Sequence, residues 1–167
     1  MFHTKTGTPC FHEAEAISLI EEIISNFDPE VVVELGTKHG GFTEILQDIT
    51  KDTTPIYSYD HMELRKISGF RSNVYFIVSD ILLNPQKDIE EICGSDKRVL
   101  LYCDNGNKTR ELELYAKYLK KGDMLGVHDW GTEVFYDKVK DYLKSFTFIR
   151  RKEFKNSGWK TRFWRRG

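Results

Sequence analysis

Five short apolar runs each end in or beside a carboxylate: Glu34, Asp60, Asp80, Asp104 and Asp129. Carboxylates gathered in one place repel one another unless a ligand, a cation or hydrogen-bond donors offset them. Their recurrence points to a binding cleft, although Asp is also a common turn and cap residue. His128 stands directly before Asp129. An imidazole there suits three roles: metal ligand, general base near neutral pH, or cap of the following helix. Lys108 follows Asp104 by four residues. It can act as a base if its pKa is lowered, or as a charge partner for Asp104. Asn107, Thr109 and Glu111 around it also read as an ordinary helix start.

The turn after the first of these runs is Glu34-Leu35-Gly36-Thr37-Lys38-His39-Gly40-Gly41. Gly36 allows close approach of the backbone to a ligand, and Gly40-Gly41 lets the next helix begin tightly against a sheet. The dinucleotide-binding pattern G-x-G-x-x-G requires a glycine where Lys38 stands, so it fails here. The pattern that fits is E-x-G-x-x-x-G. His39 in the same turn either faces substrate or lies on the surface.

The elements that must position these residues alternate in type. Runs that read as buried strands are Val31 to Leu35, Ile56 to Tyr59, Val74 to Val78, Val99 to Cys103 and Met124 to Val127. Between them lie segments of helical period: His12 to Asn26 ahead of the first strand, then Phe42 to Ile49, Pro85 to Ile92, Thr109 to Lys120 and Glu133 to Leu143. Such alternation gives a parallel sheet covered by helices, with the ligand outside the carboxyl ends of the strands. Phe146 to Phe154 and Trp159 to Trp164 read as two closing strands joined at Asn156-Ser157-Gly158, a hairpin signal. We expect an α/β Rossmann-like doubly wound sheet of seven strands in the order 3-2-1-4-5-7-6, the last strand antiparallel, with helices on both faces.

The 167 residues suit one domain spanning 1–167. A formal net charge of -1 removes the global electrostatic argument for nucleic-acid binding. A local argument remains in the basic C-terminal region, where Arg150, Arg151, Lys152, Lys155, Lys160, Arg162, Arg165 and Arg166 surround Trp159 and Trp164. The plainer reading of that region is the solvated face of an edge hairpin. Three cysteines without a C-x-x-C pair fit a reduced, cytoplasmic compartment. No apolar run reaches the length of a membrane span, and no secretory leader pattern is visible.

Val31 to Leu46, VVVELGTKHGGFTEIL, resembles motif I of the class I S-adenosylmethionine-dependent methyltransferases. It looks most like the cephalosporin hydroxylase-like and macrocin O-methyltransferase group. The lead-in Gly7-Thr8-Pro9 and the closing GDMLGVHDWG are similar to that group as well. The resemblance implies S-adenosylmethionine as cofactor. Gly36, Thr37 and Gly40 would border its methionine part, and Glu34 would support the loop or bind its amino group. Asp60 would accept hydrogen bonds from the ribose hydroxyls, and His61 or Met62 would pack on the adenine. Asp80 and the backbone of Ile81 would meet the adenine edge.

In metal-dependent relatives, acidic or amide side chains at the ends of the fourth and fifth strands hold magnesium. Asp104, His128 and Asp129 match those positions. His128 stands where an acid is usual, and an imidazole better suits manganese, iron or zinc. The loop Asp104-Asn105-Gly106-Asn107-Lys108 is shorter than the usual one and lacks its histidine. The implied function is O-methylation of a small-molecule acceptor, with Asp104, His128 and Lys108 as catalytic candidates. Two rivals stand beside it: an RNA or DNA methyltransferase using the basic C-terminal region, and a non-catalytic cofactor- or partner-binding module. Without a cap over the pocket, a chain this short would close its site as a homo-oligomer or within a larger assembly.

Overall fold

The computed structural model describes residues 1–65 and 69–167. A small antiparallel pair comes first, β1 (Phe2–His3) with β2 (Pro9–Cys10), followed by α1 (Ala14–Phe27). The parallel strands are β3 (Val31–Leu35), β4 (Ile56–Asp60), β5 (Val74–Val78), β6 (Val99–Cys103) and β7 (Met124–Val127). They are connected by α2 (Gly41–Ile49), α3 (Lys87–Cys93) and α4 (Lys108–Tyr115), which runs on into a 3₁₀ turn at Ala116–Tyr118. The chain closes with α5 (Tyr136–Leu143), β8 (Phe146–Phe148), α6 (Arg151–Ser157) and β9 (Arg162–Arg166).

The seven-stranded sheet has the order β5-β4-β3-β6-β7-β9-β8. With β1 and β2 set aside, that is the expected order, and β9 runs antiparallel to both β7 and β8. β3 is buried throughout. Val31, Val33 and Leu35 enter one core layer with Leu101, Leu112, Leu125 and Val139. Val32 enters the other, with Ile20, Ile24, Leu46 and Leu100. Side chains of successive strand residues point to opposite faces, so a run of apolar residues is what a sheet covered on both sides requires.

The closing hairpin is a correction. β8 and β9 do pair antiparallel, but β8 stops at Phe148 and α6 occupies Arg151–Ser157. Arg150 turns the chain at φ 50, and Gly158 ends the helix at φ 72. The helix delivers Phe154 into the core, fully buried among Phe148, Trp159 and Phe163. The turn residues Asn156-Ser157-Gly158 therefore mark a helix end, where glycine readily takes the left-handed conformation.

Register sets the level of the site. Leu35 pairs with both Tyr59 and Cys103, and Cys103 pairs with Val127. The next residue along each strand is thus Gly36, Asp60, Asp104 or His128, all at one height. Asp80 does not share it, because Asp60 pairs with Val78 and Asp80 lies two residues further on.

Candidate active site

A cleft of about 440 Å³ opens over these strand ends. Seven of the sequence-predicted residues line it: Gly36, Asp60, His61, Asp104, Lys108, His128 and Asp129. Phe11, Lys38, Leu64, Asn105, Gly106 and Glu133 complete its walls. Glu34, Thr37, Gly40, Asp80 and Ile81 are not brought to its lining.

Glu34 is buried beneath the turn. Its Oε2 accepts hydrogen bonds from the Thr43 hydroxyl at 2.6 Å and the Ser58 hydroxyl at 2.5 Å, while Oε1 has no partner. Burial pushes its pKa up to about 7, against the pull of those two hydrogen bonds. Of its two expected roles, support of the loop is the one the structure displays. Thr37 also turns inward, with its hydroxyl 2.6 Å from that of Ser58. Gly40 caps the start of α2 at φ 85.

Asp80 accepts the backbone N–H groups of Leu82 and Leu83 through Oδ1, both at 3.1 Å. Ile81 is fully buried, and its carbonyl accepts the Tyr115 hydroxyl at 2.9 Å. Here Asp80 holds its own turn through Oδ1 and the Ile81 side chain packs the core. His39 also lies outside the main cleft, with Nδ1 2.9 Å from the Leu64 carbonyl oxygen.

Asp60 sits in the cleft with both oxygens oriented. The Lys38 N–H donates to Oδ2 at 2.7 Å, and Oδ1 lies 2.8 Å from His61 Nδ1. Lys38 reaches this position at φ 49, and its ammonium lies 3.5 Å from the centre of the Phe11 ring. A carboxylate held this way keeps lone pairs for a diol.

At the other end of the cleft, Lys108 lies between carboxylates. Its Nζ donates to Asp129 Oδ2 and Glu133 Oε2, each at 2.8 Å, and lies 3.5 Å from Asp104 Oδ1. Burial alone would lower its pKa, but the bonds to Asp129 and Glu133 and the nearby charge of Asp104 hold it raised. Lys108 is therefore a fixed ammonium, and the reading of it as a base with a lowered pKa is corrected to that of charge partner. Burial likewise pushes the Asp104 carboxyl well up, and Asp129 adds repulsion while Lys108 opposes the shift. Asp129, at φ 56, keeps its pKa below the usual range despite burial, through the hydrogen bond it accepts from Lys108.

His12 is a site residue that sequence patterning does not single out. It lies just ahead of α1 and stacks on Phe42, with ring centres 4.1 Å apart. Its ring centre is 4.2 Å from that of His128. Burial holds both imidazoles below their ordinary pKa, so both are neutral near pH 7. Ligand atoms of His12, Asp104 and His128 all lie within 4.8 Å of one another. Two imidazoles and a carboxylate fit a divalent ion of borderline character better than a purely hard one. Asp129, expected as a ligand, presents one oxygen to Lys108 instead.

A doubly wound sheet closed by an antiparallel strand, with a glycine turn and an acidic second strand under one cleft, defines a class I S-adenosylmethionine-dependent methyltransferase. The model of the rhamnosyl O-methyltransferase/CmcI family matches residues 2–142, and the chain belongs to that family. Among solved structures, CmcI without ligand is similar at a TM-score of 0.75 and 14% identity, over 99% of this chain and 76% of that one. A form of CmcI described with magnesium and S-adenosylmethionine has the same TM-score, 0.75, at 14% identity and with the same coverage, 99% and 76%. An S-adenosylmethionine-dependent O-methyltransferase from Thermotoga maritima is similar at 0.61 and 14% identity, over 85% of this chain and 53% of that one. No curated protein sequence matches the chain.

Proposed function

We propose that this protein transfers the methyl group of S-adenosylmethionine to a hydroxyl oxygen of a small molecule. The observation that carries this reading is the common level of Gly36, Asp60, Asp104 and His128 around one cleft. At about 440 Å³ the cleft falls within the roughly 300–1,000 Å³ of small-molecule sites. Asp60 binds the ribose hydroxyls, and Gly36 and Lys38 border the rest of the cofactor. The acceptor hydroxyl approaches from the side of Asp104 and His128. Its oxygen attacks the methyl carbon, the carbon–sulfur bond breaks, and the sulfonium becomes a neutral thioether. The acceptor's proton passes to His128, whose neutral ring is free to take it.

Positioning supplies most of the acceleration in such an in-line displacement. A divalent ion, magnesium by analogy with the family or a softer one by the imidazole, would be held by Asp104 and His128, and His128 would then be a ligand in place of a base. Once bound it would lower the pKa of the acceptor hydroxyl. Lys108 holds Asp129 and Glu133 in place at the mouth of the cleft.

The rival nucleic-acid reading loses Arg162 but keeps Arg150, Arg151, Lys152, Lys155 and Arg165, which are exposed. Arg162 is buried and donates to the Trp159 and Thr161 carbonyls. Arg165 lies 4.7 Å from the Phe27 ring centre, and Arg166 lies 4.9 Å from that of Phe146. Calorimetry with S-adenosylhomocysteine tests the proposal. Saturable binding that weakens in Asp60→Ala supports it, and absence of binding removes it in favour of a non-catalytic module.

A further inference from the structure

His128 is the end of a buried polar chain that crosses the sheet. Its Nδ1 lies 3.0 Å from the Thr161 hydroxyl oxygen, just before β9. That oxygen lies 3.4 Å from the Tyr102 hydroxyl, on β6. The Tyr102 hydroxyl lies 2.7 Å from His12 Nε2, and His12 Nδ1 lies 3.6 Å from Cys10 Sγ. Every one of these side chains is buried. The chain exists because of a glycine: Tyr102 pairs with Gly126 across β6 and β7, and a Cβ at Gly126 would stand 2.4 Å from the Tyr102 ring.

Away from water, each hydroxyl proton here must go to another member of the chain. Only two orientations satisfy the whole row, because a single hydrogen lies between each pair of neighbours. In one, Tyr102 donates to His12 Nε2, Thr161 donates to Tyr102, and His128 donates to Thr161 through Nδ1. In the other every bond is reversed. The shortest contact decides between them. A phenol is a better donor than acceptor, and an imidazole nitrogen is a strong acceptor, so the 2.7 Å bond runs from Tyr102 to His12. That choice sets all the others.

We propose that Thr161, Tyr102 and His12 are positioning residues that fix the tautomer of His128. They keep the proton on Nδ1 and the Nε2 lone pair on the side of Asp129, 3.6 Å from Asp129 Oδ1 at the cleft. The proposal deepens the functional reading above, because an open Nε2 is what a base or a metal ligand at that place needs. Its test requires neither cofactor nor turnover.

The experiment is nitrogen–proton correlation spectroscopy of the histidine rings in ¹⁵N-labelled, metal-free protein near pH 7.5. His128 is assigned by loss of its signals in His128→Asn. The wild-type protein is expected to show His128 protonated on Nδ1. In Tyr102→Phe the Thr161 hydroxyl loses its acceptor and turns to His128 Nδ1, so the proton should move to Nε2. In Thr161→Ser the wild-type tautomer should persist. A wild-type ring protonated on Nε2 overturns the proposal, as does a folded Tyr102→Phe protein whose His128 tautomer is unchanged. If Tyr102→Phe does not fold, the wild-type spectrum decides alone. The expected tautomer in a protein that binds no S-adenosylhomocysteine would leave this inference standing and remove only the methyltransferase reading.

Discussion

Gly36 lies directly against the backbone of Asp104. A Cβ at position 36 would stand 2.3 Å from the Asp104 carbonyl oxygen and 2.8 Å from the Asn105 nitrogen. The glycine also sits at φ 107, where side chains other than hydrogen are strained. The residue that borders the proposed cofactor site thereby also sets the position of the acceptor-side carboxylate. Gly36→Ala is expected to destabilise the protein by more than about 1 kcal/mol. It should also weaken S-adenosylhomocysteine binding. Denaturant unfolding and calorimetry on the same preparation read both effects, and a variant as stable as wild type would contradict the close packing.

Asp60 and Asp80 should behave differently, although both end strands. Asp60→Ala removes a charged acceptor from the cleft, so cofactor affinity is expected to fall roughly 10- to 100-fold, the range for a hydrogen bond to a charged group. Asp80→Ala removes two turn hydrogen bonds outside the cleft lining. It should lower the melting temperature with little change in affinity. Parallel titrations and melts of the two variants separate these roles.

Lys108 occupies the space between Asp104, Asp129 and Glu133 as a permanent positive charge. Removing it in Lys108→Ala leaves those carboxylates facing one another. The expected cost is about 1–3 kcal/mol, at the low end for a buried pair because Glu133 is half in water. The same change should tighten binding of magnesium or manganese ions, now the only cations available to those acids. Calorimetry of each ion against wild type and variant checks this, and equal affinities would show that the ammonium does not compete for the site.

Three carboxyls raised by burial, Glu111, Glu34 and Asp104, give stability a distinct pH dependence. Burial raises Glu111 from 4.5 to about 8, and one of its oxygens has no partner. Glu34 rises from 4.5 to about 7 for the same reason. Across these intervals the folded protein holds a proton that the unfolded chain has released, so stability falls as pH rises. His12 and His128, lowered by burial, act in the opposite direction, but only below their ordinary 6.5. From pH 6.5 to 8.5 the carboxyls therefore dominate, and the melting temperature should drop by roughly 5–10 °C for a chain of this size. Glu111→Gln cannot release a proton and should flatten that slope. Melting curves at pH 6.5, 7.5 and 8.5 check it, and an identical slope in the variant would count against a buried ionising Glu111.

Much of the site could be read in one dimension, because strand ends carry it. Runs such as Val31 to Leu35 and Val99 to Cys103 declare themselves by apolar continuity, and the residue after each is then known. Gly36, Asp60, Asp104 and His128 follow directly. For Asp80 the sequence shows a carboxylate after the third strand but not that β5 carries it beyond the common level. The closing hairpin misled for a similar reason. Asn156-Ser157-Gly158 is turn chemistry in either setting, and only the burial of Phe154 makes the segment before it a helix.

What the sequence determined by itself is the order of elements, the polarity of the strand ends and the identity of the glycine turn, since these depend on local period and backbone preference. The tertiary structure alone decided which side chains meet. His12 and Tyr102 are 90 positions apart, yet they share the shortest bond of the buried chain behind His128. Lys108 reads equally as base, charge partner or helix-start residue until α4 and the segment after β7 bring three carboxylates around it. Contacts across the sheet depend on register and helix placement, and those are set by the packing of the whole core rather than by any window of residues.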